Sequence, residues 1–125
     1  KAPSKIMKTI EMTGNIGRLA GGGFGDQRPD KTQASNIKSW DSHANRAENF
    51  RIHGNIFDRG RYMVMHCAAG LEEWMPEVYD NLFVQWEGGD FGRFGVTPNA
   101  LRPFDSALMN DARLTDNALC IVKKD

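Results

Sequence analysis

The sequence predicts a mainly β fold, a small antiparallel barrel or sandwich with one or two short helices. Residues 49–68 and 81–96 each show alternating apolar and polar positions on either side of a short turn sequence. About six short strand-like runs follow one another along the chain. The helical segments are brief, Pro76 limiting one at Leu71–Met75 and Pro98 and Pro103 preceding another. With 125 residues, 40% hydrophobic and 26% charged, the chain is expected to form one domain over 1–125 without a staple.

The first strand is Lys5–Thr13, in which Ile6, Ile10 and Met12 share one parity and Thr9 and Glu11 the other. It ends at Gly14, where a glycine-rich loop begins and extends to about residue 35, long enough to suggest a binding loop. Asn49–Phe57 alternates next, with Phe50, Ile52 and Ile56 on one side and Arg51, His53 and Asn55 on the other. Asp58-Arg59-Gly60 reads as a three-residue hairpin loop with Gly60 left-handed. The return strand Arg61–Ala68 is apolar on both faces and should be central, with Phe57 opposite Arg61 and Ile56 beside Tyr62. A second hairpin joins Asn81–Trp86 to Phe91–Val96 through Glu87-Gly88-Gly89-Asp90, opposing Trp86 to Phe91 and Phe83 to Phe94. Asp105 or Ser106 caps a short helix to about Asp111–Ala112, and Ala118–Lys123 closes the fold as a strand. Gly14-Asn15-Ile16 recurs as Gly54-Asn55-Ile56. Three such units would suit a trefoil-like repeat, but the third place, around Gly95-Val96, has only the glycine, and chance is the better explanation.

The net charge is zero, yet residues 1–62 hold eleven Lys/Arg against six Asp/Glu and residues 63–125 hold five against ten. Intermingled in one domain, the two halves largely cancel; held apart, they would steer a polyanion or drive head-to-tail association. No apolar run reaches the roughly 20 residues of a membrane helix. A first residue other than Met is what a processed, trimmed or excerpted chain is expected to show, and nothing in the sequence assigns a compartment.

Catalytic constellations are wanting. His43 reads as solvated, His53 as a surface residue and His66 as buried, with no two placed to share a metal. Cys67 and Cys120 allow one disulfide but no paired-cysteine metal site. Cys67 and His66, adjacent on a strand, face opposite sides. The Gly21–Gly25 run lacks the Lys-Ser/Thr ending of a phosphate loop. Glu72-Glu73 and the Glu87/Asp90 pair form no opposed carboxylate couple. Bases interleaved with aromatics are more suggestive, since such a surface stacks bases and neutralises phosphates. Trp74, Trp86 and the Trp86–Asp90 turn offer a further surface for a sugar or a partner protein.

Over about ten residues, Thr9–Arg18 resembles the first strand of bacterial single-stranded-DNA-binding proteins of the OB-fold class. Phe91-Gly92-Arg93-Phe94-Gly95 is similar to the aromatic-Gly-Arg-x-Gly core of the WGR domain. Neither likeness continues along the chain, and neither names a family.

The residues thus predict a non-catalytic, β-rich binding or assembly module. It contacts another macromolecule, a protein or a second copy of itself, through loops and an aromatic-bearing sheet face. The contact residues expected are Arg18, Arg28, Trp40, Arg51, His53, Arg59, Trp86 and Asp90, with no cofactor and no metal. The alternatives are an OB-like binder of single-stranded nucleic acid using the basic amino-terminal half, and a small hydrolase with loop-borne carboxylates.

Overall fold

The computed structural model describes residues 5–20, 35–40, 45–69, 75–97 and 102–124. For residues 5–7, 20, 38–40, 45, 46, 65–69, 97 and 102 it describes the backbone alone. The first coil of chain comprises β1 (Lys5–Thr13), β2 (Ile16–Ala20) and β3 (Ser35–Trp40). The second comprises β4 (Asn45–His53), β5 (Ile56–Gly60) and β6 (Tyr62–Ala69), and the third β7 (Glu77–Tyr79), β8 (Leu82–Trp86) and β9 (Gly92–Thr97). The last comprises β10 (Arg102–Pro103), α1 (Phe104–Asn110), β11 (Leu114–Thr115) and β12 (Ala118–Val122).

Each coil contributes successive strands to three different sheets. The first sheet is β1-β4-β7-β11 and the second β2-β5-β8-β12, both parallel throughout. The third, β3-β6-β9-β10, is parallel except that β10 runs antiparallel to β9. Strands that wind in one sense and stack coil on coil make a parallel β-helix.

The expected antiparallel barrel or sandwich is therefore overturned; the mainly β content and the short helix stand. Both hairpins fall with it. Phe57 lies beside Gly17 and Phe83, not Arg61, and Ile56 beside Ile16 and Leu82, not Tyr62. Phe94 lies beside His66, and Trp86 beside Val122, not Phe91. The expected turn residues Asp58-Arg59-Gly60 lie within β5, where Arg59, with φ 42°, and not Gly60 takes the left-handed conformation. Alternation reports that one face is buried, which parallel and antiparallel strands share. It says nothing about which strand lies alongside.

The corner between the first and second sheets explains why the chain coils. It is two residues long and recurs four times as Gly14-Asn15, Gly54-Asn55, Asp80-Asn81 and Asp116-Asn117. The first member is left-handed each time, with φ of 69°, 65°, 54° and 56°. Glycine adopts that conformation freely, and aspartate more readily than most side chains. The asparagines then stack. The backbone N–H groups of Asn15, Asn55 and Asn81 donate to the Oδ1 of the asparagine one coil on, at 2.9, 3.1 and 3.1 Å. Each Nδ2 donates to that same oxygen at 3.0 Å. The Nδ2 groups of Asn55, Asn81 and Asn117 also reach back to the carbonyls of Met12, Ile52 and Val78 at 2.9, 2.9 and 2.8 Å. Asn55 and Asn81 are buried in this ladder, and it satisfies polar groups that a corner inside a coil would otherwise strand. The recurrence that the sequence left to chance is the repeat of the fold.

Inside the coil, side chains also stack by register. Ile52, Val78 and Leu114 form one buried column, and Phe57 and Phe83 another, their rings 5.5 Å apart. Pro103 precedes α1, which buries Phe104 and Ala107, three residues apart and so on one helical face. Phe104 meets Phe83 edge-on at 5.0 Å and Phe94 at 5.9 Å, so α1 covers part of the interior of the last coil. No side chain caps the helix; neither Asp105 nor Ser106 takes the N-cap place expected of them. Between the second and third sheets, buried Gln85 donates to the Gly60 and Asp90 carbonyls at 3.1 and 2.8 Å. Its Oε1 accepts from the Trp86 N–H at 2.9 Å, which leaves the amide fully paired.

Candidate binding faces

Alternation leaves every second residue of a coil strand pointing outward, so each sheet presents columns of side chains to solvent. On the first sheet Glu11, Arg51 and Glu77 form one column, and Thr13, His53, Tyr79 and Thr115 the next. Glu11 Oε1 lies 2.6 Å from His53 Nε2. That hydrogen bond, aided by the charges of His53 and Arg51, holds the Glu11 carboxyl below the usual carboxylate range. The His53 ring lies parallel to Tyr79, 4° from coplanar with centroids 4.7 Å apart. Beside these columns a shallow recess of about 210 Å³ is lined by Glu48, Arg51, Glu77 and Arg113 around Phe50 and Met75. Asp111 fixes Arg113 there, accepting from its Nε at 3.0 Å and its Nη2 at 2.8 Å.

The second sheet differs in kind. Its outer columns are Ile16–Ile56–Leu82–Ala118 and Arg18–Asp58–Val84–Cys120, with Trp86 beside Val122. Most of these side chains are apolar, and Ile16 is 72% and Ile56 39% exposed. Cys120 is a free, exposed thiol. Asp58 accepts from Arg59 Nε at 2.8 Å and Nη2 at 3.1 Å and lies 3.2 Å from Arg18 Nε. The Arg59 hydrogen bond is the largest cause of its depressed carboxyl pKa, with smaller contributions from Arg18. Arg59 lies over the Trp86 ring at 4.9 Å and Lys124 lies 5.9 Å from the ring centre, both within cation–π range.

The residues expected to make contacts are thus divided. Arg18, Arg59 and Trp86 come together on the second sheet, joined through Asp58 and the cation–π contact. Arg51 and His53 share the first sheet. Asp90 ties its own turn, accepting from the Gly92 N–H at 2.8 Å and Arg93 Nη1 at 3.1 Å. Arg28, His43 and Trp74 lie outside the described residues, as does the side chain of Trp40, whose backbone pairs with Cys67 in the third sheet. Sequence reasoning missed Asp58, Tyr79 and the apolar column. Only a knowledge of the coil register brings Ile16, Ile56 and Leu82 to one face.

Among the described residues, no group of three or more His, Cys, Asp or Glu could hold a metal ion, and no helix is long and apolar enough to cross a membrane. No family model, curated protein or solved structure matches the chain.

Proposed function

We propose that the chain is a non-catalytic binding module whose outer second-sheet face docks a protein partner. The observation that carries the reading is the outward Ile16–Ile56–Leu82 column, exposed at Ile16 and Ile56 and half-buried at Leu82, beside Trp86, itself overlain by Arg59 and Lys124. Contiguous apolar surface with aromatic and arginine residues beside it is characteristic of protein contact surfaces. The face is carried on hydrogen-bonded strands stacked on a filled interior, so docking costs little ordering of the backbone. Arg18, Arg59 and Lys124 at its margin outnumber Asp58, which favours a partner surface whose apolar centre is fringed by carboxylates.

The test is capture of a protein partner, followed by reconstitution from purified components with wild type, Ile56→Lys and Trp86→Ala. The reading expects each substitution to weaken binding at least about tenfold while the thermal melt stays close to wild type. A partner bound equally by all three forms would refute it. Retention of the wild type on a phosphate-bearing resin at low salt, steeply lost as salt rises, with no protein partner, would replace it with nucleic-acid binding.

A further inference from the structure

We propose that this chain binds a second copy of itself end to end, the β11–β12 edge of one copy pairing in parallel with the β1–β2 edge of the next. The surfaces concerned are strand edges at the two ends of the coil, not the outward face described above, and the inference does not rest on that reading.

Among the described residues the asparagine ladder runs from Asn15 to Asn117 and leaves complementary groups over at these two positions. The N–H groups of Asn15, Asn55 and Asn81 each find an Oδ1 one coil on. Among the described residues the Asn117 N–H has no such oxygen, and Asn15 Oδ1 accepts no hydrogen bond. Asn15 of a following copy, placed one coil beyond Asn117, supplies the missing acceptor. Its Nδ2 then reaches the Leu114 carbonyl, as the Nδ2 of Asn117 reaches that of Val78. The first and second sheets are parallel throughout, so a further strand in the same sense continues them without reversal.

Apolar exposure and charge favour the same contact. On β12, Leu119 and Ile121 are in register with buried Phe83 and Gln85 and share their inward parity, yet they are 43% and 52% exposed. α1 covers the interior over Phe83 and Phe94 but leaves these two side chains open. At the opposite end β2 carries Leu19, 51% exposed, and Gly17, which has no side chain to oppose Leu119. On the first sheet the Glu11–Arg51–Glu77 column alternates in sign, and Arg113 follows Glu77 in the next coil, its carbonyl accepting from the Val78 N–H at 2.9 Å. A following copy sets Glu11 beside Arg113 and extends the alternation. Open strand edges readily take a further strand, and coiled repeats need their ends covered. The contact joins two different surfaces, so it propagates into a series of oligomers instead of closing as a dimer.

The second-sheet columns give the test its register. Cys120 occupies the Arg18–Asp58–Val84 column, so residue 18 of the following copy lies beside it. Arg18→Cys in a Cys67→Ser background is expected to give a ladder of disulfide-linked multimers on mild oxidation, whereas Glu87→Cys in the same background stays largely uncrosslinked. In sedimentation the wild type should rise with concentration through multiples of 14.0 kDa. Ile121→Lys should return it to one chain without changing its thermal melt, and Ile56→Lys should leave assembly intact. A mass of one chain at every concentration, equal crosslinking of the two cysteine variants, or assembly indifferent to Ile121→Lys would overturn the proposal.

Discussion

Replacing Asn81 by alanine removes five hydrogen bonds from the middle of the coil. Its Nδ2 donates to the Ile52 and Tyr79 carbonyls and to Asn117 Oδ1 at 2.9, 3.0 and 3.0 Å. Its Oδ1 accepts from the N–H and the Nδ2 of Asn55 at 3.1 and 3.0 Å. Two hydrogens shared among three acceptors give bonds of unequal strength, so the bonds do not simply add. The larger effect comes from what is left behind. The Asn55 N–H and the Ile52 carbonyl lose a partner in a buried setting, at about 1–3 kcal/mol for each buried group left unpaired. The expected loss is about 3–5 kcal/mol, a large share of a typical net stability of about 5–15 kcal/mol. Asn15→Ala is the internal control. In a single copy Asn15 is exposed and receives no ladder bond at Oδ1 from the described residues, so at protein concentrations low enough to keep copies apart water can replace most of what it loses, and about 1 kcal/mol or less is expected. Equilibrium unfolding in urea, with midpoints compared at matched slopes, measures both. Losses of equal size at the two positions, or an Asn81→Ala protein within about 0.5 kcal/mol of wild type, would refute the ladder's role.

The filled interior makes its own demand: Phe83→Ala should cost about 3–5 kcal/mol by leaving a cavity between Phe57 and Phe104, and a loss under about 1 kcal/mol would contradict that packing. Gly92 sits at φ 98°, and a Cβ added there would collide with the Val64 carbonyl oxygen. Gly92→Ala should therefore lower the chemical-denaturation midpoint by the equivalent of about 3 kcal/mol or more, and an unchanged midpoint would show that β6 and β9 do not approach so closely. The Glu11 and Asp58 carboxyls are both held below their ordinary range, Glu11 chiefly by its hydrogen bond to His53 and Asp58 by that to Arg59. Their contribution is present above the unfolded carboxylate pKa of about 4 and is lost as pH falls through the depressed folded values. Unfolding midpoints should therefore drop in that acid window, and less so in an Asp58→Asn, Glu11→Gln double variant.

Much of the strand content was legible in the sequence. The inward position of Ile52 followed from alternation, as did the span of the first strand and the closing strand, whereas Phe57 falls on the parity the alternation assigned to the polar face. The outward Ile56 and the buried Asn55 did not, because Gly54-Asn55 is a corner, and a corner resets which parity faces in. The repeat itself was half visible. Its first two members read Gly-Asn-Ile, but the third and fourth are Asp80-Asn81-Leu82 and Asp116-Asn117-Ala118, where aspartate takes over the left-handed place. Successive ladder asparagines lie 40, 26 and 36 residues apart, so no fixed period marks them. Insertions between coils change the spacing without disturbing the stack. The binding face was the least legible part, since the column Ile16–Ile56–Leu82 exists only once three distant segments share a register.

The claim beneath all of this is that 56 and 82 are neighbours across parallel strands, whereas 56 and 62 are not neighbours across a hairpin. Paired cysteine substitutions decide it in a Cys67→Ser, Cys120→Ser background, because a disulfide requires Cα atoms about 4.4–6.8 Å apart. Ile56→Cys with Leu82→Cys should close an intramolecular disulfide readily, and Ile56→Cys with Tyr62→Cys should not. The reverse outcome would contradict the coil and restore the antiparallel hairpin.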